Sequence, residues 1–134
     1  MVKPIELRSD TFTKPSKEML EAMFTAQVGD DVFQEDETVN ALEKKAAEMF
    51  GMEAALFCAS GTMTNQIAIR THCSPGSEVI TEENSHVYYY EGGGIAVNAL
   101  SSIKTIAGNK GKINAEGTLA AVNFCNLNAV HFTD

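Results

Sequence analysis

Ser60-Gly61-Thr62 stands between a run of apolar residues and a helical stretch. A strand–turn–helix passage of this kind can hold an anion. Glycine lets the backbone come close to a ligand, and the free N–H groups of the helix that follows turn their positive end toward it. The Ser60 and Thr62 hydroxyls would add two short donors. The chemistry suggested is phosphate binding, although the same three residues can serve simply as a turn and a helix cap. The segment lacks the G-K-[ST] ending of a Walker loop and the G-x-G-x-x-G dinucleotide fingerprint. It also lacks the G-x-S-x-G pattern of a nucleophile elbow.

His86 is the second candidate. It follows a strand-like segment at its carboxyl end, where open α/β sheets place ligands. Tyr88, Tyr89, Tyr90 and Glu91 surround it with ring faces, hydroxyls and a carboxylate. Such an imidazole could stack on a planar cofactor or move protons. The plainer alternative is a histidine at the edge of the core, satisfied by a backbone carbonyl. His72 reads as the end of a helix, where its positive form suits the dipole, and His131 is ambiguous from its neighbours. Lys104 sits in an alternating segment as an outward-facing charge, not as a reactive amine. Gly92-Gly93-Gly94 suits close packing or a bend better than a phosphate. Cys58, Cys73 and Cys125 lie far apart with no C-x-x-C pair, so neither a zinc site nor a disulfide framework is expected.

The elements that must position these residues follow from punctuation and periodicity. Ser16 can cap a helix whose Met19, Leu20 and Met23 share a face. Val28-Gly29-Asp30-Asp31 ends it. A second helix is expected from near Asp36 to Phe50, with Val39, Leu42, Ala46, Met49 and Phe50 on one stripe and Gly51 as a left-handed stop. Leu7–Thr11 reads as an extended polar arm. Residues 54–59, 78–81 and 102–106 read as strands, with a helix over 62–73, weak helix over 86–100 and a last helix from Asn114 to Val122. Strands separated by helices imply crossovers and a mostly parallel sheet, hence an α/β fold. Three strands make a narrow sheet, so the organisation resembles the opening of a larger one.

Composition sets the outer bounds. The 134 residues carry 10 basic and 18 acidic side chains, a net charge of −8. With no basic stripe to neutralise phosphates, nucleic-acid binding is not expected. No apolar run approaches the ~20 residues of a membrane span, and the N-terminus has no signal-peptide core. A cytoplasmic protein with no membrane role is the expectation. The acidic excess gathers at Asp30, Asp31, Glu35, Asp36 and Glu37, which alone reads as a solvated loop leading into a helix.

Taken in order, several segments resemble the low-specificity threonine aldolases of the β-eliminating lyase superfamily. They are Leu7–Thr11, Met19–Met23, Val28–Val32 with Glu35-Asp36, and Thr38–Asn40 with Leu42-Glu43. Glu53–Phe57, Ser60–Met63, Asn65-Gln66, and His86 with Glu91 and its glycines follow. The likeness spans residues 5–100 and continues faintly to Val130-His131-Phe132. It implies the N-terminal portion of a fold-type-I large domain, a mostly parallel sheet flanked by helices, incomplete here. Residues 1–35 would form an arm, helix and interface loop, and 36–134 the first part of the cofactor-binding domain.

The resemblance implies pyridoxal 5′-phosphate as cofactor and a β-hydroxy amino acid as substrate. The reaction is cleavage of L-threonine or L-allo-threonine to glycine and acetaldehyde. Gly61 and Thr62, with Ser60, match positions that hold the cofactor phosphate, and His86 the imidazole that stacks on its ring. Ser9 matches a residue near the substrate carboxylate, and His131 a second histidine near the substrate hydroxyl. No metal is implied. The acidic loop would lie beside a neighbouring subunit's site in a homodimer or homotetramer. Phe33 stands where the family usually has Tyr, Gln34 where Gly is common and Thr64 where Ala is common. The lysine that joins the cofactor and the aspartate that pairs with its ring nitrogen find no match here, so the chain alone is expected to be inactive. Another pyridoxal-phosphate β-eliminating lyase, or a non-catalytic binding module, are the alternative readings.

Overall fold

Among the described residues, every helix of more than six residues starts where a short polar side chain takes up a free amide. In the computed structural model, which describes residues 5–123, Ser16 accepts from Met19 N–H and opens α1 (Lys17–Thr25). Asp36 accepts from Thr38 and Val39 and opens α2 (Glu37–Phe50), which Gly51 ends in the left-handed region at φ 63°. Ser60 opens α3 (Gly61–His72), and Asn114 accepts from Gly117 N–H to open the last helix. These four helices were all expected from the sequence. Cys125 and His131 lie outside the described residues. The described chain forms two compact units, divided between Phe57 and Cys58.

In the first unit the acidic segment is shaped by its own carboxylates. Asp30 caps a 3-10 turn over Asp31–Phe33 by accepting from Val32 N–H. The second carboxylate oxygen of Asp36 accepts from Gly29 N–H at 3.2 Å. The amides of Val39, Gly29 and Thr38 together hold its carboxyl below the ordinary carboxylate value. This closure brings residues 29 and 35 together, so a Cβ on Gly29 would fall 2.3 Å from the Glu35 carbonyl oxygen. Gln34 completes the turn at φ 59°, the conformation for which glycine is best suited. The N-terminal arm is not wholly extended: Ser9 caps a 3-10 turn over Asp10–Phe12.

Two expectations are corrected in this unit. The stripe of α2 is only partly covered: Val39 and Ala46 are half-buried and Ala47 is buried, but Leu42, Met49 and Phe50 are exposed. Residues 54–59 form no strand. A strand needs a neighbouring ladder, and among the described residues none runs beside them. Phe57 N–H instead donates to Glu43 Oε1 on α2 at 2.7 Å, and Leu56 remains 66% exposed.

The second unit contains β1 (Glu78–Glu82) and β2 (Ser102–Ile106), paired in parallel from Glu78↔Ser102 to Glu82↔Ile106. Parallel strands need a crossover, here made of α4 (His86–Tyr89) and α5 (Gly94–Ala99). Both short helices lie in the stretch read as weak helix broken by glycines. Gly92 and Gly93 adopt φ of 60° and 72°, while Gly94 lets α5 close on α3: a Cβ there would meet the Gln66 amide at 2.5 Å. Ile95 and Ala99 of α5 are fully buried. The last helix, α6 (Ala115–Ala121), packs on β2. Lys104 Nζ donates to Asn123, whose own amide donates to Glu78, so this lysine braces the sheet. Two parallel strands with covering helices give the expected α/β class, with two strands among the described residues instead of three.

Candidate functional site

The N-terminus of α3 has the chemistry that could receive an anion. Ser60 Oγ accepts from Met63 N–H at 3.1 Å and the Ser60 carbonyl accepts from Thr64 N–H. That leaves the Gly61 and Thr62 amides without a protein acceptor among the described residues. The Ser60 hydroxyl hydrogen stays free to donate, since only its oxygen is engaged by Met63. No acidic side chain occupies the first turn of α3, so nothing there opposes an anion. No Cβ contact crowds Gly61 within 4 Å. Two amides, two hydroxyls and an open approach suit a phosphate group. An open hollow of about 530 Å³ borders Ser60 and Thr62 and continues along α3 past Gln66 and Arg70.

His86 starts α4 after a hydrogen-bonded turn. Thr81 Oγ1 donates to Ser85 Oγ at 2.7 Å, and the buried Glu82 carboxylate accepts the Asn84 backbone amide at 2.6 Å. The imidazole is not satisfied by a backbone carbonyl. Its Nδ1 lies 2.9 Å from Glu91 Oε1, and the side chain is 62% exposed. Tyr90 lies beside it, with ring centroids 5.4 Å apart and tilted by 41°. An exposed ring face anchored at one nitrogen can receive a planar ligand.

Glu91 is the residue that sequence reasoning noticed without placing. Its side chain has no exposed surface, yet it carries a full set of partners. Oε1 accepts from Asn65 Nδ2 at 2.7 Å, and Oε2 from Gln66 Nε2 at 2.5 Å. Burial alone would raise the Glu91 carboxyl. The hydrogen bonds from Asn65, Gln66 and His86, with the imidazole's charge, outweigh burial and hold it below the ordinary value. Asn65 and Gln66 lie on α3 just after its first turn. The carboxylate therefore ties the helix that carries Gly61 and Thr62 to the histidine. The available signal was the pair of adjacent side-chain amides, Asn65-Gln66, early in α3.

Ser9 belongs to the first unit, where its oxygen accepts from the Thr11 amide and hydroxyl. His131 lies outside the described residues. His72 ends α3 as expected. Cys58 and Cys73 are free and half-buried. Among the described residues there is no group of three or more His, Cys, Asp or Glu placed to hold a metal. None of the described helices is long and apolar enough to cross a membrane.

Comparison with known proteins places this chain in a family. The model of the family described as beta-eliminating lyase matches residues 6–132. The chain belongs to the β-eliminating lyase family. Within it, the chain is 54% identical over 93 residues to the low specificity L-threonine aldolase of Escherichia coli K12, covering 69% of this chain and 28% of that protein. It is 44% identical over 124 residues to low-specificity L-threonine aldolase 1 of Arabidopsis thaliana, covering 91% of this chain and 35% of the relative. Against the low specificity L-threonine aldolase of Saccharomyces cerevisiae the identity is 44% over 107 residues, 79% of this chain and 28% of that protein. The chain thus spans about a third or less of the length of these curated relatives. Membership agrees with the α/β arrangement expected for part of a fold-type-I large domain.

Proposed function

We propose that this chain forms the phosphate- and ring-binding side of a pyridoxal 5′-phosphate site in an aldehyde-lyase. The reaction would split L-threonine or L-allo-threonine into glycine and acetaldehyde. The observation that carries the proposal is the link from the free Gly61 and Thr62 amides, through Asn65, Gln66 and Glu91, to His86. It occurs in a chain 54% identical to a threonine aldolase over 93 residues.

In this reading the Gly61 and Thr62 amides and the Ser60 and Thr62 hydroxyls hold the phosphate, helped by the positive end of α3. His86 would offer its open face to the pyridine ring, with Nε2 able to take a proton. When bound, the cofactor supplies the ring that takes up the electrons of the broken Cα–Cβ bond. Ser9 would meet the substrate carboxylate, and His131 would accept the substrate's hydroxyl proton as general base. The acidic loop 30–36 would lie beside a neighbouring subunit's site in a homo-oligomer. No described lysine takes part in the Glu91–His86 cluster, so we expect the 134 residues alone not to turn over substrate.

The test is an assay of the protein encoded by the whole reading frame that contains this chain, with cofactor and L-threonine or L-allo-threonine. Acetaldehyde and glycine in equal amounts support the reading. The family description leaves a second one open, a lyase that eliminates a β-substituent. Ammonia and a keto acid, without glycine, would establish that reaction instead.

A further inference from the structure

Glu91 has no part in holding phosphate or in contacting a ring, yet it is a carboxylate with no exposed surface. Ionised groups are rarely buried to this degree unless their partners are in place. All of its partners are side chains of the cluster: Asn65 and His86 on Oε1, and Gln66 on Oε2. Gln66 is itself held, because Asn98 on α5 donates to its Oε1 at 3.2 Å. Gly94 allows that close approach. The carboxylate is thus fixed from two helices before it meets the imidazole.

An ionised carboxylate can only accept. At 2.9 Å, the His86 nitrogen facing it must carry the hydrogen. We propose that Glu91 is the positioning residue for His86, fixing the neutral imidazole as the Nδ1–H form with its lone pair on Nε2, the exposed side. The proposal deepens the pyridoxal-phosphate reading and rests on it for its use in catalysis, although the tautomer itself does not require a cofactor. Without Glu91, the ring would lose both its orientation and its bias toward Nδ1–H. The free Nε2 is what lets His86 accept a proton on the side open to a ligand.

The experiment is nitrogen-15 NMR of the full chain labelled at histidine, without cofactor and at pH 9. His86 is assigned by the signals lost in His86→Asn. The wild type is expected to show Nδ1 protonated and Nε2 bare, and Glu91→Ala to move His86 toward the Nε2–H form. A wild type in which Nε2 carries the hydrogen overturns the proposal, whether or not Glu91→Ala folds. So does a folded Glu91→Ala chain whose His86 pattern is unchanged. Pyridoxal 5′-phosphate is then added to the same wild-type sample with backbone amides observed. An Nδ1–H form with no response at Gly61 or Thr62 overturns the cofactor reading but leaves the positioning role standing. An Nε2–H form with a response at those amides does the reverse.

Discussion

The carboxylate of Glu91 stands 2.9 Å from His86 Nδ1 with none of its own side-chain surface open to solvent. One partner is a buried anion and the other a largely exposed ring. The pair therefore works as a fixed anchor and a presented face. The anchor is reached from α3 through Asn65 and Gln66, so the N-terminal part of α3 and His86 share one carboxylate. The consequences can be measured separately.

Stability should depend on the Glu91 charge at acid pH. Its folded value lies below the ordinary 4.5 because the hydrogen bonds from Asn65, Gln66 and His86 outweigh burial. A carboxyl lowered on folding adds stability that is present above the unfolded value and is lost as pH falls through the folded one. Between pH 6 and pH 3, denaturant unfolding followed by circular dichroism should show the wild type weakening below about pH 4.5. Glu91→Gln should be less stable at pH 6 and lose less over that range.

Gly94→Ala tests the packing of α5 against α3. The added Cβ would lie 2.5 Å from the Gln66 amide carbon, and Gln66 cannot retreat without leaving Glu91 or Asn98. Overpacking of this kind costs about 1–3 kcal/mol, read as a lower denaturation midpoint with an unchanged slope. Gly92→Ala meets no neighbour within 4 Å but has φ 60°, so its penalty should come from the backbone alone.

Gln34→Gly should stabilise the first unit. Gln34 holds φ 59°, where a side chain costs roughly 1–2 kcal/mol, and glycine's extra unfolded-state freedom offsets about 0.5–1 kcal/mol. The expected net gain of up to about 1.5 kcal/mol would appear as a higher thermal midpoint. A loss would mean that the Gln34 side chain makes a contribution its exposed position does not reveal.

Ser60→Ala should weaken the start of α3 by about 1 kcal/mol, the usual worth of an N-cap, and should also lower affinity for inorganic phosphate. Ser60→Asp separates the two effects. It keeps an acceptor for Met63 N–H, so stability should recover, but it places a negative charge at the anion-binding end and should weaken phosphate binding further.

Local chemistry was legible wherever a short-range rule governs it. Ser16, Asp36, Ser60 and Asn114 cap their helices because an N-cap needs only a neighbour two or three residues on. Gly51 stops α2 for a similarly local reason. Residues 54–59 misled because an apolar run shows that a segment can be buried, not which ladder will pair with it. The same limit applied to α2, where periodicity identified the apolar stripe but not how much of it would be covered. Glu91 was visible as a carboxylate near His86, but its partners Asn65 and Gln66 lie 26 and 25 residues away. Only the packing of α3, α4 and α5 could bring them together.

The most direct measurement is a titration of the nitrogen-15-labelled chain with pyridoxal 5′-phosphate, alongside pyridoxal without the phosphate. The phosphorylated compound should shift the Gly61 and Thr62 backbone amides and the His86 ring signals together, saturating at one concentration. Pyridoxal alone should leave the two amides unmoved. Unshifted Gly61 and Thr62 amides in the presence of pyridoxal 5′-phosphate, with the chain folded, would contradict the cofactor reading.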